Sequence, residues 1–496
     1  MNIEDLFHPD VVSPNTWGLY NGVDACVPFG IWETLQADMK TQGYLETYAM
    51  TEACFPAAVF MCEHGIKVDL EALEDTKREV RAEIERLETE LRYMLGFNLN
   101  TESPKQCINY FYGIKGISPY INRKTGKPTT DDKAMARIAR KGYPEAKLVQ
   151  QIRGLKKLNG TYLEIEFDPD NYLRCNINLR GAWSGRWSTS KTIFQTGMNM
   201  QNLPPQFKKF LVADEGHMFL EFDLRHAEWV ATAYIANDPR MIDVVESGLD
   251  PHIATGMLIS GAPEELVRLD NEVVGHASDP IEIEGLRRGS ATLRNCFDRY
   301  YFPRSMSIRQ CGKKSNHGLN YDMRYRRFAL EAEIMEKEAE PIYDGYHKAY
   351  PNLKVYYGRT ETQIRKDRTL VNCFGRRRRF LGPICQELFM AAISFLPQSS
   401  VVDIINKGAV VAVYNDDSDL MKPFRQLMQN HDSTQNQYPV DCWSDMARVV
   451  HRVVEHLNIP LTYNEHTFTI PVDLKVGRNW GEYGKDNLGG MQEIPV

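Results

Sequence analysis

Phe219-Leu220-Glu221-Phe222-Asp223-Leu224-Arg225-His226-Ala227-Glu228-Trp229 is the stretch on which the fold of this chain turns. Strand-forming apolar residues lead to Asp223, and helical spacing follows it through Val230, Ala231 and Ala233. The segment reads as a strand that delivers a carboxylate and then turns into a helix carrying Glu228. A carboxylate at a strand end facing a cleft suits magnesium or manganese. These hard ions take carboxylate oxygens and keep water or phosphate oxygens in their other positions. Taken alone, such an aspartate is more often a cap or turn residue. Two further stretches decide between the roles.

The first is Arg309-Gln310-Cys311-Gly312-Lys313-Lys314-Ser315-Asn316-His317-Gly318-Leu319-Asn320-Tyr321. Its spacing of four predicts one helical face lined by Arg309, Lys313, His317 and Tyr321. Two cations followed by two flat rings suit a nucleoside triphosphate, phosphates at one end and sugar and base at the other. The second is Leu427-Met428-Gln429-Asn430-His431-Asp432-Ser433, whose hairpin pattern puts Asp432 at a tip where it can meet Asp223. Two converging carboxylates beside a triphosphate helix match two-metal phosphoryl transfer, with ions roughly 3.5–4 Å apart. A buried pair of like charges needs such a cation. Lys313 adds charge, and a proton, for the leaving pyrophosphate.

The rest of the chain sets the frame. A length of 496 residues allows several domains, and 43% hydrophobic with 25% charged residues is an ordinary globular balance. No apolar run in the sequence suggests a membrane span, and the acidic start Met1-Asn2-Ile3-Glu4-Asp5 is not a signal peptide. Ten scattered cysteines without a Cys-x-x-Cys pair point to free thiols in a reducing, cytoplasmic compartment. The net charge of −7 does not announce a polyanion partner, but the signs are segregated. Basic residues concentrate between about 300 and 380, including Arg324, Arg326, Arg327 and Arg376-Arg377-Arg378-Arg379. The acidic stretch 264–290 reads as solvated loop and helix, or a partner surface.

Helical spacing from Leu70 to Leu95, with opposite charges four apart, predicts a projecting arm. Arg123-Lys124-Thr125-Gly126 forms a basic turn, and a helix at 145–163 carries Arg153, Lys156 and Lys157. Strand patterns at 170–225 and again after 411 predict a central sheet built from two distant segments, with helical material between them. The fold class expected is α+β.

In this order the motifs resemble those of family A (DNA polymerase I-like) DNA polymerases, over nearly everything from about residue 50 onward. Asp223-x4-Glu228 resembles the family's motif A, Arg309-x3-Lys313-x3-His317-Gly318-x2-Tyr321 its motif B, and His431-Asp432 its motif C. Supporting stretches are Ser184-Gly185-Arg186-Trp187-Ser188, Asn199-Met200-Gln201-Asn202-Leu203-Pro204, Asp250-Pro251-His252, Phe374-Gly375-Arg376-Arg377 and Gln398. The resemblance implies a right-hand polymerase, a palm with an antiparallel sheet plus helical fingers and thumb. Residues 1–50 would be the end of an exonuclease-like domain and linker, 51–170 the thumb, 171–228 the first part of the palm, 229–400 the fingers and following helices, and 401–496 the second part of the palm.

It also implies roles. Asp223, Asp432 and the Leu224 carbonyl would hold two Mg²⁺ ions, for which Mn²⁺ can substitute. Arg309, Lys313, His317 and His226 would bind the incoming deoxynucleotide, Tyr321 would stack near the templating position, and Glu228 would exclude a ribose 2′-hydroxyl. Arg186, Gln398, His431 and Asn202 would contact primer–template DNA near the primer end, and Arg153 and Lys157 would grip its backbone from the thumb.

Departures from the family pattern are His317 in place of Phe or Tyr, Ser433 in place of the Glu after the motif C aspartate, and Asp322 in place of glycine. They give the chain a phage-encoded look. Tyr20-x3-Asp24 resembles the last motif of a 3′–5′ exonuclease, and the earlier motifs are not found. The expectation is a polymerase without its own proofreading, served by a separate exonuclease or other replisome proteins. The alternatives are a single-subunit RNA polymerase, whose His-Asp-Ser motif Ser433 matches, and an inactive DNA-binding replication subunit.

Overall fold

The computed structural model describes residues 14–122, 125–275, 277 and 279–495. The expected turn residues Arg123 and Lys124 and the start Met1–Asp5 lie outside them. Three helices open the described chain: α1 (Pro14–Gln42), α2 (Leu45–Ala53) and α3 (Phe55–His64). Tyr20 and Asp24 sit one turn apart within α1.

A strand, β1 (Ile66–Val68), leads into the long helix α4 (Leu70–Leu95). Asp69 caps α4 by accepting the Ala72 N–H at 3.0 Å, and Gly96 ends it at φ 77°, a left-handed conformation open to glycine. α4 turns Leu87 and Leu91 onto Val149 and Ile152 of α5 (Pro144–Lys157), so the arm has an apolar core of its own. β2 (Tyr172–Leu173) and β3 (Leu211–Val212) flank β1 in a small antiparallel sheet at the base of the arm.

The main sheet has five antiparallel strands. They are β4 (His217–Leu224), β5 (Arg425–Asn430), β6 (Ser433–Pro439), β7 (Val472–Gly477) and β8 (Gln492–Ile494), in the order β8-β7-β4-β6-β5. Its centre, β4, is the strand that carries Asp223. Alternation assigns Leu220, Phe222 and Leu224 to one face, all at most 1% exposed, while Glu221 and Asp223 point to the other.

Helices and a short hairpin, Thr369–Val371 with Arg377–Arg379, fill the chain between β4 and β5. The helices that build the site are α6 (Ala227–Ala236), α7 (Pro251–Ser260), α8 (Glu264–Val274), α9 (Pro280–Gly289), α10 (Ile308–Leu319) and α11 (Gln386–Ile404). Helical chain continues from α11 to Ala412, and Gln386–Ala412 is long and apolar enough to cross a membrane by length and composition. Its most apolar window is 67% buried within the protein, which makes it the core helix behind the sheet.

Two basic or acidic runs differ from their sequence reading. Arg376 leaves the basic block for the interior, where its guanidinium pairs with buried Asp403 at 2.8 Å. The acidic stretch 264–290 is not wholly solvated. Asp270 is fully buried against Arg287, because an acid and a guanidinium on successive helices face one another there.

Candidate active site

β4 and the β5–β6 hairpin bring the two expected carboxylates to one end of the sheet. Asn430 pairs with Ser433, so His431-Asp432 is a two-residue turn, with His431 in the left-handed region at φ 59°. Ser433 pairs in turn with Asp223. The Leu224 N–H donates to the Asp432 carbonyl at 3.0 Å, which ties the two strand ends together immediately beside both side chains. Ser433, where the sequence departs from the expected acid, donates its hydroxyl to the Asn430 carbonyl at 3.1 Å and serves the turn.

The pair is electrostatically uncomfortable. Burial, then the charges of Asp432 and Glu221, push the Asp223 carboxyl up to about 8. Burial, with Glu228 adding to it, raises Asp432 as well. Asp473, opposite Asp223 on β7, is tied to Arg225, and Glu221 accepts from the Trp480 Nε1–H at 3.0 Å. Among the described residues no three His, Cys, Asp or Glu side chains form a metal-binding group. The donor set is two adjacent carboxylates held toward their protonated forms by burial and by the charges of neighbouring acids. That set fits a hard divalent cation, whose charge would reverse both shifts.

Glu228 is a convergence point. One carboxylate oxygen accepts from the Arg186 guanidinium, and the other accepts from the Tyr321 hydroxyl and, at 3.5 Å, from Gln398 Nε2. Three side chains, from the chain between β2 and β3, the turn after α10 and α11, thus meet on one residue of α6. Sequence spacing held no sign of this. Burial, then the Glu228 charge, holds the Tyr321 hydroxyl well above its usual range, so it stays a donor. Arg186 Nε and His431 Nδ1 are buried without a hydrogen-bond partner among the described residues. Burial and nearby Arg186 lower His431, keeping its ring neutral.

α10 presents the cations. Ser307 caps it by accepting the Gln310 N–H at 3.1 Å. Arg309 donates to Asp250 Oδ2 through Nε at 3.0 Å and Nη2 at 2.7 Å. Burial works upward on Asp250, but the Arg309 hydrogen bond and charge hold it below the ordinary carboxylate range. Lys313, one turn on, is exposed and makes no ion pair among the described residues. Rings run from His226 to His252 at 4.9 Å and from His252 to His317 at 5.9 Å. Burial, reinforced by His226, pulls His252 down to about 3, and burial also lowers His226 and His317. Neutral imidazoles therefore line this wall at neutral pH. Asp250 and His252 were not singled out as site residues. Their signal in the sequence was the Asp250-Pro251-His252 stretch that supports the family resemblance.

Tyr321 corrects the expectation of four residues on one helical face. α10 ends at Leu319, and the chain turns through Asp322 at φ 58°. Asp322 tolerates that left-handed conformation with its carboxylate accepting from Gln386 Nε2 at 2.6 Å. Tyr321 therefore leaves the helix and reaches Glu228 through its hydroxyl.

The expected DNA contacts divide. Lys157 and Asn202 are exposed. Arg153 is turned inward. It donates to the Thr101 carbonyl at 2.6 Å, to the Thr130 carbonyl and to Cys107 Sγ at 3.3 Å. Its fork braces the tip of the arm, because buried carbonyls there need donors.

The fold resembles the polymerase domain of Pol1 from M. smegmatis, solved with DNA primer-template and dNTP. The TM-score is 0.74 at 21% identity, over 92% of this chain and 75% of that one. It is that of a right-hand polymerase, an α+β palm sheet with helical fingers and thumb. The chain belongs to DNA polymerase family A, whose sequence pattern matches residues 70–271 and 297–482. Relatives include DNA polymerase I of Pseudomonas aeruginosa, 26% identical over 95% of this chain and 48% of that protein. The thermostable DNA polymerase I of Thermus filiformis is 26% identical over 85% of this chain and 46% of its own length. The chain spans about half the length of the curated relatives it matches.

Proposed function

We propose that this chain extends a primer on a DNA template, adding deoxynucleotides to the primer 3′ end. The observation that carries this is the meeting of Asp223 and Asp432 at one end of the sheet, with Glu228 near them and bonded to Tyr321 just after α10. We assign residues 51–170 to the thumb, 171–228 and 401–496 to the palm, and 229–400 to the fingers and following helices. The work would be done in the cytoplasm, as suits a relative of bacterial DNA polymerases.

The primer 3′ oxygen attacks the α-phosphorus of the incoming triphosphate and pyrophosphate leaves. Arg309, steadied by Asp250, and Lys313 bind the phosphates, and Lys313 offers the departing pyrophosphate positive charge and a proton. Asp223 and Asp432, with the Leu224 carbonyl, would hold magnesium or manganese. When bound, such ions lower the pKa of the attacking hydroxyl and neutralise the leaving group. Neutral His226, His252 and His317 add no repulsion or competing charge to that pocket. Glu228 fills the space beside the sugar and hands Arg186 and Gln398 to the primer end. Its carboxylate, already engaged by three donors, leaves a 2′-hydroxyl unwelcome. His431, through its unpartnered Nδ1, would position the primer terminus. Tyr321 closes the templating side, and Asn202 and Lys157 would touch the duplex backbone, which sets affinity without reading sequence.

Primer extension on a 5′-overhang DNA template with Mg²⁺, comparing deoxynucleotides with ribonucleotides, tests this. Extension by deoxynucleotides alone, lost in Asp223→Ala and Asp432→Ala, is expected. Efficient ribonucleotide extension would instead indicate an RNA polymerase. Tight DNA binding without extension would indicate an inactive replication subunit.

A further inference from the structure

Residues 272–296 fall between the two segments that match the family pattern, yet one side chain from them reaches the root of α10. Arg287, on α9, is 3% exposed. Its Nε and Nη2 donate to Asp270 Oδ1 and Oδ2 at 2.6 and 3.0 Å. Its Nη1 donates to the Pro303 carbonyl at 2.6 Å and its Nη2 to the Met306 carbonyl at 2.9 Å. One guanidinium therefore fixes an acid on α8 and two carbonyls of the strand of chain entering α10.

Asp270 completes the clamp. Its Oδ2 accepts the Ile308 N–H, the first of α10, at 2.7 Å. A carboxylate at that place satisfies an orphan donor and favours the positive end of the helix. Next to it, the Ser307 hydroxyl donates to Asn271 Oδ1 at 2.9 Å. Leu293, also outside the matched segments and fully buried, packs in one cluster with Ile308. The residue after Ile308 is Arg309, and Lys313 follows one turn later.

We propose that the 272–296 segment, through Arg287, sets the axial position and tilt of α10, so that Arg287 is a positioning residue for triphosphate binding by Arg309 and Lys313. This rests on the polymerase reading given above for those two cations. Arg287 touches neither substrate nor any reacting atom. It acts by holding a helix end, and a shift of about 1 Å at such an end is enough to change reaction rates by orders of magnitude.

The test uses the full chain and the paired variant Asp270→Asn/Arg287→Gln, which removes both charges and leaves neither buried alone. The KM for the incoming deoxynucleotide should rise about tenfold, with primer–template Kd and melting temperature little changed. A purely structural role would lower the active fraction, and so kcat, with KM untouched. That result overturns the proposal. Should the paired variant fail to fold, Arg287→Lys decides. It keeps the charge but cannot reach Asp270 and both carbonyls, so KM rises here too, and an unchanged KM again overturns the proposal. Titration with a fluorescent deoxynucleoside triphosphate runs alongside. If the wild type binds triphosphate without extending primers, the polymerase reading fails, and the variants' binding constants still judge the clamp. Absence of triphosphate binding in the wild type overturns both.

Discussion

Asp223, half-buried, and Asp270, fully buried, are kept in opposite company. Asp223 ends a central strand facing Asp432, with Glu221 on its own strand adding to the repulsion. Asp270 sits fully buried in α8, with a guanidinium across it and a backbone N–H on the same oxygen. The first acid has only the more distant charge of Lys475 against several neighbouring acids, which suits the cation site proposed there. The second is balanced to completion, which is how a chain fixes two elements together. Burial of a carboxylate therefore identifies nothing by itself. What the protein supplies against its charge separates a reactive site from a structural one.

The two acids should respond differently to the same kind of substitution. Asp432→Asn should cut extension by about 10³-fold or more, roughly 4 kcal/mol of transition-state stabilisation. The same change should make the protein no less stable in chelator, as a melting curve would show. Asp223 sharpens this through pH. Its carboxyl is raised in the folded state, so it favours folding most below the ordinary carboxylate range of about 4. That contribution is lost as pH rises through about 8. Melting temperature in chelator should therefore fall across that window in the wild type and fall less in Asp223→Asn. A flat wild-type profile would break the comparison at its first member.

Asp270→Ala tests the second member. It strands Arg287 in the interior and should cost about 3–5 kcal/mol of stability in denaturant unfolding. A loss under about 1 kcal/mol would mean that water reaches Arg287 and that the pair is not a buried one.

Glu228 lies between the extremes, a carboxylate balanced by three donors yet open to a ligand. Glu228→Ala should reduce discrimination against ribonucleotides by about 10²-fold, measured as the ratio of kcat/KM values. Unchanged discrimination would remove it from the sugar pocket. The smallest effect belongs to the arm. Lys157→Ala should lower the slope of log Kd for primer–template against log salt by about 1. Arg153→Ala, whose fork serves internal carbonyls, should leave that slope alone and lower the melting temperature of the protein.

Much of the palm end was legible because its determinants are close in sequence. Strand-forming residues up to Asp223 marked β4, and the short polar turn at His431-Asp432 marked the hairpin, so each aspartate was placed at a strand end from its own neighbours. The ends of these elements were less legible. A spacing of four carried Tyr321 onto α10, since periodicity cannot register that Asp322 adopts a left-handed conformation and stops the helix. Contacts between distant elements left no trace at all. Asp270 looked like one acid among many in a charged run, as its partner lies on the next helix. Arg153 looked like a cation for DNA, although three acceptors in the arm already claim it. The meeting of Arg186, Tyr321 and Gln398 on Glu228 needs the folded chain.

Gly312 has a consequence for how the molecule moves. A side chain there would place its Cβ 2.2 Å from the His252 carbonyl oxygen and 2.8 Å from the Gly256 nitrogen. α7 and α10 thus touch backbone to backbone, with no layer of side chains between them to act as a bearing. α10 cannot roll on its own axis. Any swing that brings its cations toward the palm carries α7 along as one lever, and Asp250 and His252 travel with it, so the pocket wall and the cations arrive together.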